Sequence, residues 1–199
     1  TTMEVTDIKF ATIQGTQTLV YELSIEGEYT SGNNGATLEG TSGRLEIEYS
    51  GVDLLRANDL AVWDSVFTLV VDFAPFNIGF LSQELADITF ATVYEPPREK
   101  YDFRLRTGDQ WTSNYNSGTN VTGSSDYFDP TAFDTPFVED NTTYQVTTDG
   151  TPTEAGSSPS YGGCSDSHKV NAWNNTGSTN GFEWYCDSVR SYAWYRLIN

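Results

Sequence analysis

The chain holds one histidine, His168, and two cysteines, Cys164 and Cys186. Nucleophilic and metal chemistry lean on these residue types, so they bound what the protein can do. A Ser-His-Asp site would have to use His168, but no Gly-x-Ser-x-Gly precedes a strand-to-helix turn. The nearest serine-rich text, Gly156-Ser157-Ser158-Pro159, contains a proline and reads as loop. His168 stands four residues after Cys164, and a Cys-His site would need Cys164 as a thiolate beside the imidazole. A disulfide between Cys164 and Cys186 removes that option, so His168 reads as a surface loop residue. No Cys-x-x-Cys pair is present, and one histidine with two cysteines lacks the usual zinc spacing.

Carboxylates are the abundant chemistry. Asp126, Asp129 and Asp134, followed by Glu139 and Asp140, form the best calcium candidate, because oxygen ligands spread over a loop suit a hard cation. The Asp-x-[Asp/Asn]-x-[Asp/Asn]-Gly pattern is absent, and Phe128, Phe133 and Phe137 in the same stretch read as anchors onto a sheet. Paired carboxylates could also run a glycosidase or an acid peptidase, but among 28 acidic residues some pair is always close. Trp173, Trp184, Tyr192 and Trp194 could stack on sugar rings. The competing reading makes them the bulk of a core.

The chain has 199 residues, with Lys+Arg 10 against Asp+Glu 28 and a net charge of −18. That field repels phosphate backbones and anionic membrane surfaces. It reads first as a solvated, salt-tolerant surface, as in a marine or halophilic organism. The longest apolar runs fall far short of the roughly 20 residues a membrane helix needs. Aromatics make up 14%, so the chain can bury a core. N-x-[Ser/Thr] sequons stand at Asn120, Asn141 and Asn174, in Ser/Thr/Gly-rich text that reads as surface loops. With a Cys164–Cys186 bridge they point to an extracellular or cell-surface protein. The bridge would close a loop of about 22 residues, contribute roughly 3 kcal/mol in the chain-entropy model, and pin loop 165–181 onto an aromatic strand. The chain opens at Thr1 and closes on the strand-like Ser191 to Asn199. We expect a processed piece or the ordered part of a longer protein.

The elements that must position these residues are strands, because the dominant period is two. Leu19, Tyr21, Leu23, Ile25 and Tyr29 share one face, with Glu22, Ser24, Glu26 and Glu28 on the other. Residues 44–50 repeat the alternation, and Ser31 to Gly35 between them is a turn signal, so the two runs predict a hairpin. Ser65 to Phe73 is apolar on both faces and reads as central. Val52 to Val62 is the best helix candidate, with a turn and strand as the other reading. Residues 86–94 read as a strand, which Pro96-Pro97 stops. Beyond lie candidate strands 102–106, 110–115 and 142–148, with 117–125 and 149–163 as the least constrained loops. Strands 182–186 and 191–198 close the chain.

Tyr101-Asp102-Phe103-Arg104-Leu105-Arg106-Thr107-Gly108-Asp109-Gln110-Trp111 resembles the aromatic-x-Leu-x-x-Gly-[Asp/Lys]-x-Trp opening strand of exported bacterial and archaeal β-rich domains of unassigned activity. Some of these are similar to lipoprotein-carrier (LolA/LppX-like) half-barrels, in which a curved antiparallel sheet covers an apolar ligand. Arg104 stands where such phrases often have proline. The resemblance implies that the phrase opens a second exported β unit, and it transfers no catalytic or lipid-binding residue. Independently, Phe103 and Leu105 are expected to face inward and Gly108-Asp109 to turn the chain into Trp111.

The expected fold is mainly β: long antiparallel strands in a curved sheet or sandwich, little helix and a loop-rich C-terminal half. Residues 1–95 form an N-terminal β unit and 98–199 an aromatic-rich one, or the two together form one compact domain. The expected function is a non-enzymatic extracellular binding module, for an apolar ligand or a polysaccharide, or part of a surface assembly of neighbouring copies. The alternative is a secreted hydrolase using paired carboxylates or His168. A hydrolase should show a cleft with two carboxylates, a carrier an apolar cavity, and an assembly subunit an unpaired terminal strand or a large apolar patch.

Overall fold

The computed structural model describes residues 2–32, 35–75, 82–150, 166–174, 179–186 and 191–197; for 174, 179, 180 and 191–197 it describes the backbone alone. Eleven strands follow in chain order: β1 (Thr2–Ile13), β2 (Thr16–Thr30), β3 (Ala36–Leu38), β4 (Thr41–Arg56), β5 (Val62–Pro75), β6 (Gln83–Arg98), β7 (Gln110–Ser125), β8 (Thr135–Gly150), β9 (Ser167–Asn174), β10 (Thr179–Cys186) and β11 (Ser191–Leu197). A 3₁₀ turn, Pro130–Phe133, joins β7 to β8, and no α-helix occurs among the described residues. The fold is therefore mainly β, as its period-two sequence requires. Ten strands form one curved antiparallel sheet that does not close, in the order β1-β2-β4-β5-β6-β7-β8-β9-β10-β11, and β3 pairs with β4 off that path.

Two compact units share the chain. The first holds Thr1–Asn58, Val62–Pro97 and Ser117–Val138; the second holds Asp59–Ala61, Arg98–Asn116 and Glu139–Asn199. Each unit is discontinuous in sequence, built from three segments.

In the first unit, β2 pairs with β4 over eleven consecutive residues, from Val20↔Arg56 to Thr30↔Glu46. This is the expected hairpin, with β3 inserted in its connection. Register sorts the side chains. Leu19, Tyr21, Leu23 and Ile25 share a face with Leu45, Ile47 and Tyr49 of β4 and with Phe67, Leu69, Val71 and Phe73 of β5. The opposite face carries Glu22, Glu26, Glu28, Glu46, Glu48 and Asp72. Glycine opposite an aromatic fixes the fit. Gly27 faces Tyr49 and Gly51 faces Phe67, and the two rings stack at 6.0 Å. A Cβ at Gly27 would land on the hydroxyl end of Tyr49. Val71 and Phe90 pack on buried Ala86, Ile88 and Val121.

In the second unit, β8, β9 and β10 bring Tyr144, Val146, Val170 and Tyr185 into a core with Tyr101 and Leu105. Tyr101 lies 4.4 Å from Tyr185 between ring centroids. Trp111 stacks on Tyr144 at 5.4 Å, and burial pushes the Tyr144 phenol up to about 12. Lys100 Nζ bonds Glu183 Oε2 at 3.0 Å.

Several expectations are corrected. Val52 to Arg56 continues β4, and Ala57 to Asp59 turn, so the helix candidate resolves as strand and turn. β6 runs through Pro96-Pro97 to Arg98 rather than stopping there. Residues 102–106 are not a strand, and 117–125 are not a loop but the second half of β7. Loop 165–181 is largely replaced by β9 and the start of β10. Threonine explains much of the difference, since its branched Cβ suits a strand while its hydroxyl makes the text look loop-like. Cross-strand hydroxyl pairs use it: Thr68–Thr89 at 2.9 Å and Thr92–Thr119 at 2.8 Å.

Gly123 has φ +127, and a Cβ there would fall onto the Asp87 carbonyl oxygen. Gly15, in the β1–β2 turn with φ +77, has open space around it. Gly123→Ala should cost about 3 kcal/mol or more, by strain and backbone collision together, and Gly15→Ala only about 1 kcal/mol. Chemical denaturation of the two variants measures the gap; equal losses would contradict the close β6–β7 approach.

Candidate functional site

The most unusual surface lies along β1. Among the described residues it pairs only with β2, so its other edge presents backbone groups without a ladder partner, although the Ile8 amide donates to Asp7 Oδ1 at 2.8 Å. Its apolar residues, Met3, Val5, Ile8 and Phe10, break the period of two. The break is a bulge between Val5 and Asp7, which leaves Thr6 out of the ladder. Val5 then faces Leu23, Ile8 faces Tyr21 and Phe10 faces Leu19, all on the apolar side of β2. Val5 is 52% exposed, Ile8 59%, Phe10 71% and Leu19 38%. Lys9, on the other side, salt-bridges Glu22, with Asp7 also near.

The acidic face carries an open groove of about 480 Å³ lined by Thr2, Glu26, Glu28, Glu48, Ser50 and Thr68, with Gly27, Tyr49 and Val70. Glu28 and Glu48 are direct cross-strand partners. The lining is polar and acidic, unlike the apolar cavity of a carrier. Asp64, whose carboxyl burial pushes above its ordinary range, lies outside this groove.

The residues singled out in the sequence fall as follows. His168 sits in β9, not in a loop, and its side chain is 14% exposed. Its Nδ1 donates to Asp149 Oδ1 at 2.7 Å. A bulge between Val146 and Thr148 places Asp149 opposite His168. Hydrogen bonds from Thr107 and then His168 hold the Asp149 carboxyl below its usual range against desolvation. The Asp149 carboxylate thus joins the imidazole to a threonine from the turn that leads into β7, an arrangement that ties that turn down.

Trp184 is 1% exposed and packs with Cys186 and Phe182, so it offers no ring face to a ligand. Trp173 is half-buried opposite Thr143 in β9. Tyr192 and Trp194 lie in β11, where only the backbone is described. Cys186 is fully buried; Cys164, and with it the expected bridge, lies outside the described residues. Asp129 caps the 3₁₀ turn by accepting from the Thr131 amide at 3.0 Å and its hydroxyl at 2.8 Å. Asp134 accepts from the Val121 amide at 2.5 Å, and Asp126 is exposed. The structure thus gives Asp129 and Asp134 backbone-holding work. Among the described residues, no three His, Cys, Asp or Glu side chains are gathered to hold a metal ion. Phe128, Phe133 and Phe137 are 45%, 53% and 52% exposed, so they do not anchor the loop as expected. Phe128 and Phe133 meet edge to face at 5.7 Å. Asn120 is exposed in β7 and Asn141 half-buried in β8, so these two sequons lie in strands rather than loops; Asn174 ends β9, and the rest of its sequon lies outside the described residues. In the familiar-looking phrase, Leu105 is buried but Phe103 is 40% exposed.

Sequence reasoning missed the β1 edge because the bulge hides its alternation. The signal was there: Met3 and Val5 in one phase, Ile8 and Phe10 in the other. No protein-family profile, curated protein or solved structure matches this chain.

The Asp149 carboxyl gives a pH prediction. An acid held below its unfolded pKa stabilises the fold above that pKa and loses this contribution as pH falls through the folded value. The stability gap between the wild type and Asp149→Asn should therefore be full at neutral pH and close below about pH 4, where unfolded aspartate protonates. Urea denaturation across pH reads it. A gap that persists unchanged into strong acid would contradict the Thr107–Asp149–His168 arrangement.

Proposed function

We propose that this chain is a non-enzymatic extracellular or cell-surface β domain that serves as a docking module in a surface assembly. The observation that carries the reading is the open β1 edge with Val5, Ile8 and Phe10 exposed beside it. An assembly subunit needs such an edge, whereas an isolated domain normally shields it. The exposed Asn120 sequon and the buried Cys186 support an extracellular setting. In that setting Cys186 is bridged to Cys164 and Asn120 carries the accessible glycan position. A second reading, a hydrolase using two carboxylates, draws on the Glu28–Glu48 pair in the open groove. It predicts turnover of a glycoside or peptide that disappears in both Glu28→Gln and Glu48→Gln.

The docking reading makes a test that needs no identified partner. Self-repulsion of a chain with charge −18 keeps copies apart at low salt. In about 1 M NaCl the Debye length falls to about 3 Å, and the sticky edge should show as weak, concentration-dependent association. Sedimentation of Ile8→Lys and Phe10→Lys should show that association reduced at least about fivefold, a loss of about 1 kcal/mol. A wild type that stays monomeric at high salt, or variants that associate equally, would remove the edge as the docking element.

The setting has its own check. Protein denatured without reductant should expose no free thiol, and two after reduction. Two free thiols before reduction, in material purified from an oxidising medium, would speak against the extracellular reading.

A further inference from the structure

We infer that the partner of the β1 edge is an extended segment in which apolar residues alternate with lysine or arginine, added to the sheet as one more antiparallel or parallel strand. This deepens the docking reading and rests on it. The strand form follows from the edge itself. β1 is twelve residues long, contains no proline, and carries one lysine, whose ammonium is drawn back onto Glu22 and Asp7. Edges that must stay single are short, proline-blocked or guarded by free charge. This one is long and free of proline; the exposed charges it does carry, Glu4 and Asp7, are acidic and lie on one face, so they admit a cationic strand, and backbone groups without a ladder partner are matched best by another strand.

The alternation follows from the two faces. On one side of β1 an added strand would lie beside Val5, Ile8 and Phe10, which the bulge at Thr6 keeps in line with Leu23, Tyr21 and Leu19. Without that bulge Ile8 and Phe10 would turn to the opposite side, so the strip is a consequence of this irregularity, at which the Thr6 hydroxyl also bonds Glu22. On the other side the added strand would lie beside Glu4 and Asp7, with Glu22 and Glu26 one strand further in. Lys9 is the sole cation paired within this group. Side chains of a strand point alternately to the two faces. Apolar groups on the first face bury the exposed strip, and cations on the second meet carboxylates. An acidic alternating strand would place like charges opposite one another. Among the described residues none of the strands alternates apolar with basic residues, and the one such run, Phe103 to Arg106, lies outside the strands with Leu105 buried, so a second copy is not the match and repels through its own charge.

The test uses the full chain and blocked synthetic peptides of about ten residues, long enough to cover the edge. One alternates valine with lysine, one alternates valine with glutamate, and one carries the lysines and valines in two separate blocks. Binding is measured by calorimetry at low salt, and its place by amide chemical-shift changes. The alternating Val-Lys peptide should bind about tenfold or more tighter than the other two. Its binding should weaken with salt, opposite in sign to the self-association above, and shift the amides of β1. Ile8→Lys and Phe10→Lys should each weaken it by about tenfold; both residues are exposed, and unchanged amide spectra outside β1 confirm that the variants fold. Equal binding of the block peptide would show mere charge attraction and overturn the proposal. So would shifts confined to the Glu26–Glu28–Glu48 groove. Preference for the Val-Glu peptide, or a wild-type dimer at low salt that excludes every peptide, would assign the edge to another occupant and leave the docking reading standing without this partner.

Discussion

The register of β2 against β4 and of β4 against β5 is the constraint on which the first unit depends. A slip of one residue would exchange the two faces and bring Glu22, Glu26, Glu28, Glu46 and Glu48 to the side of Phe67, Leu69 and Phe73. The ladder, unbroken between β2 and β4 and from Gly43 to Leu54 between β4 and β5, resists this, and so does shape. Tyr49 lies over Gly27 and occupies room that only a glycine leaves, and Phe67 fits tightly over Gly51. Gly43 leaves similar room for Phe73. Once the faces are sorted, everything of functional interest is a consequence of where the sorting stops. The acidic groove is the polar face left open, and the β1 strip is the apolar face left uncovered.

The bulge at Thr6 links these features. It is a local irregularity in the backbone, yet it decides that Val5, Ile8 and Phe10 lie together rather than on opposite sides. A second bulge, between Val146 and Thr148, does comparable work in the second unit, where it aligns Asp149 with His168. Both replace a strict alternation with a change of phase. In both cases the residues brought together are those a regular strand would have separated. His168 accordingly joins a tie in which its Nδ1 is held by a carboxylate that also accepts from Thr107.

Much of the fold could be read from the sequence wherever alternation was clean. Leu19 to Tyr29, 44–50, Ser65 to Phe73 and 86–94 became parts of β2, β4, β5 and β6. Reading failed where one physical signal masked another. Polar threonines and serines disguised the second half of β7 as loop, although cross-strand hydroxyl pairs such as Thr92–Thr119 hold it. Pro96-Pro97 suggested an end, yet β6 continues to Arg98, with Pro97 buried. The candidate site was the least legible part. Composition pointed to Trp184, which is core, and to Asp129 and Asp134, which hold backbone amides. The β1 strip was hidden because a bulge leaves no residue type as its mark.

The central claim is that β1 is ladder-bonded on one side and open on the other, and amide hydrogen exchange addresses it residue by residue. In an antiparallel edge strand, alternate amides point into the ladder and out of it. The account predicts alternating slow and fast exchange along Asp7 to Ile13, beside consistently slow exchange through the paired stretch of β2. Uniformly slow exchange along β1 would show that its edge is already covered. Uniformly fast exchange would show that it is not held on β2 at all. Either result would contradict the account.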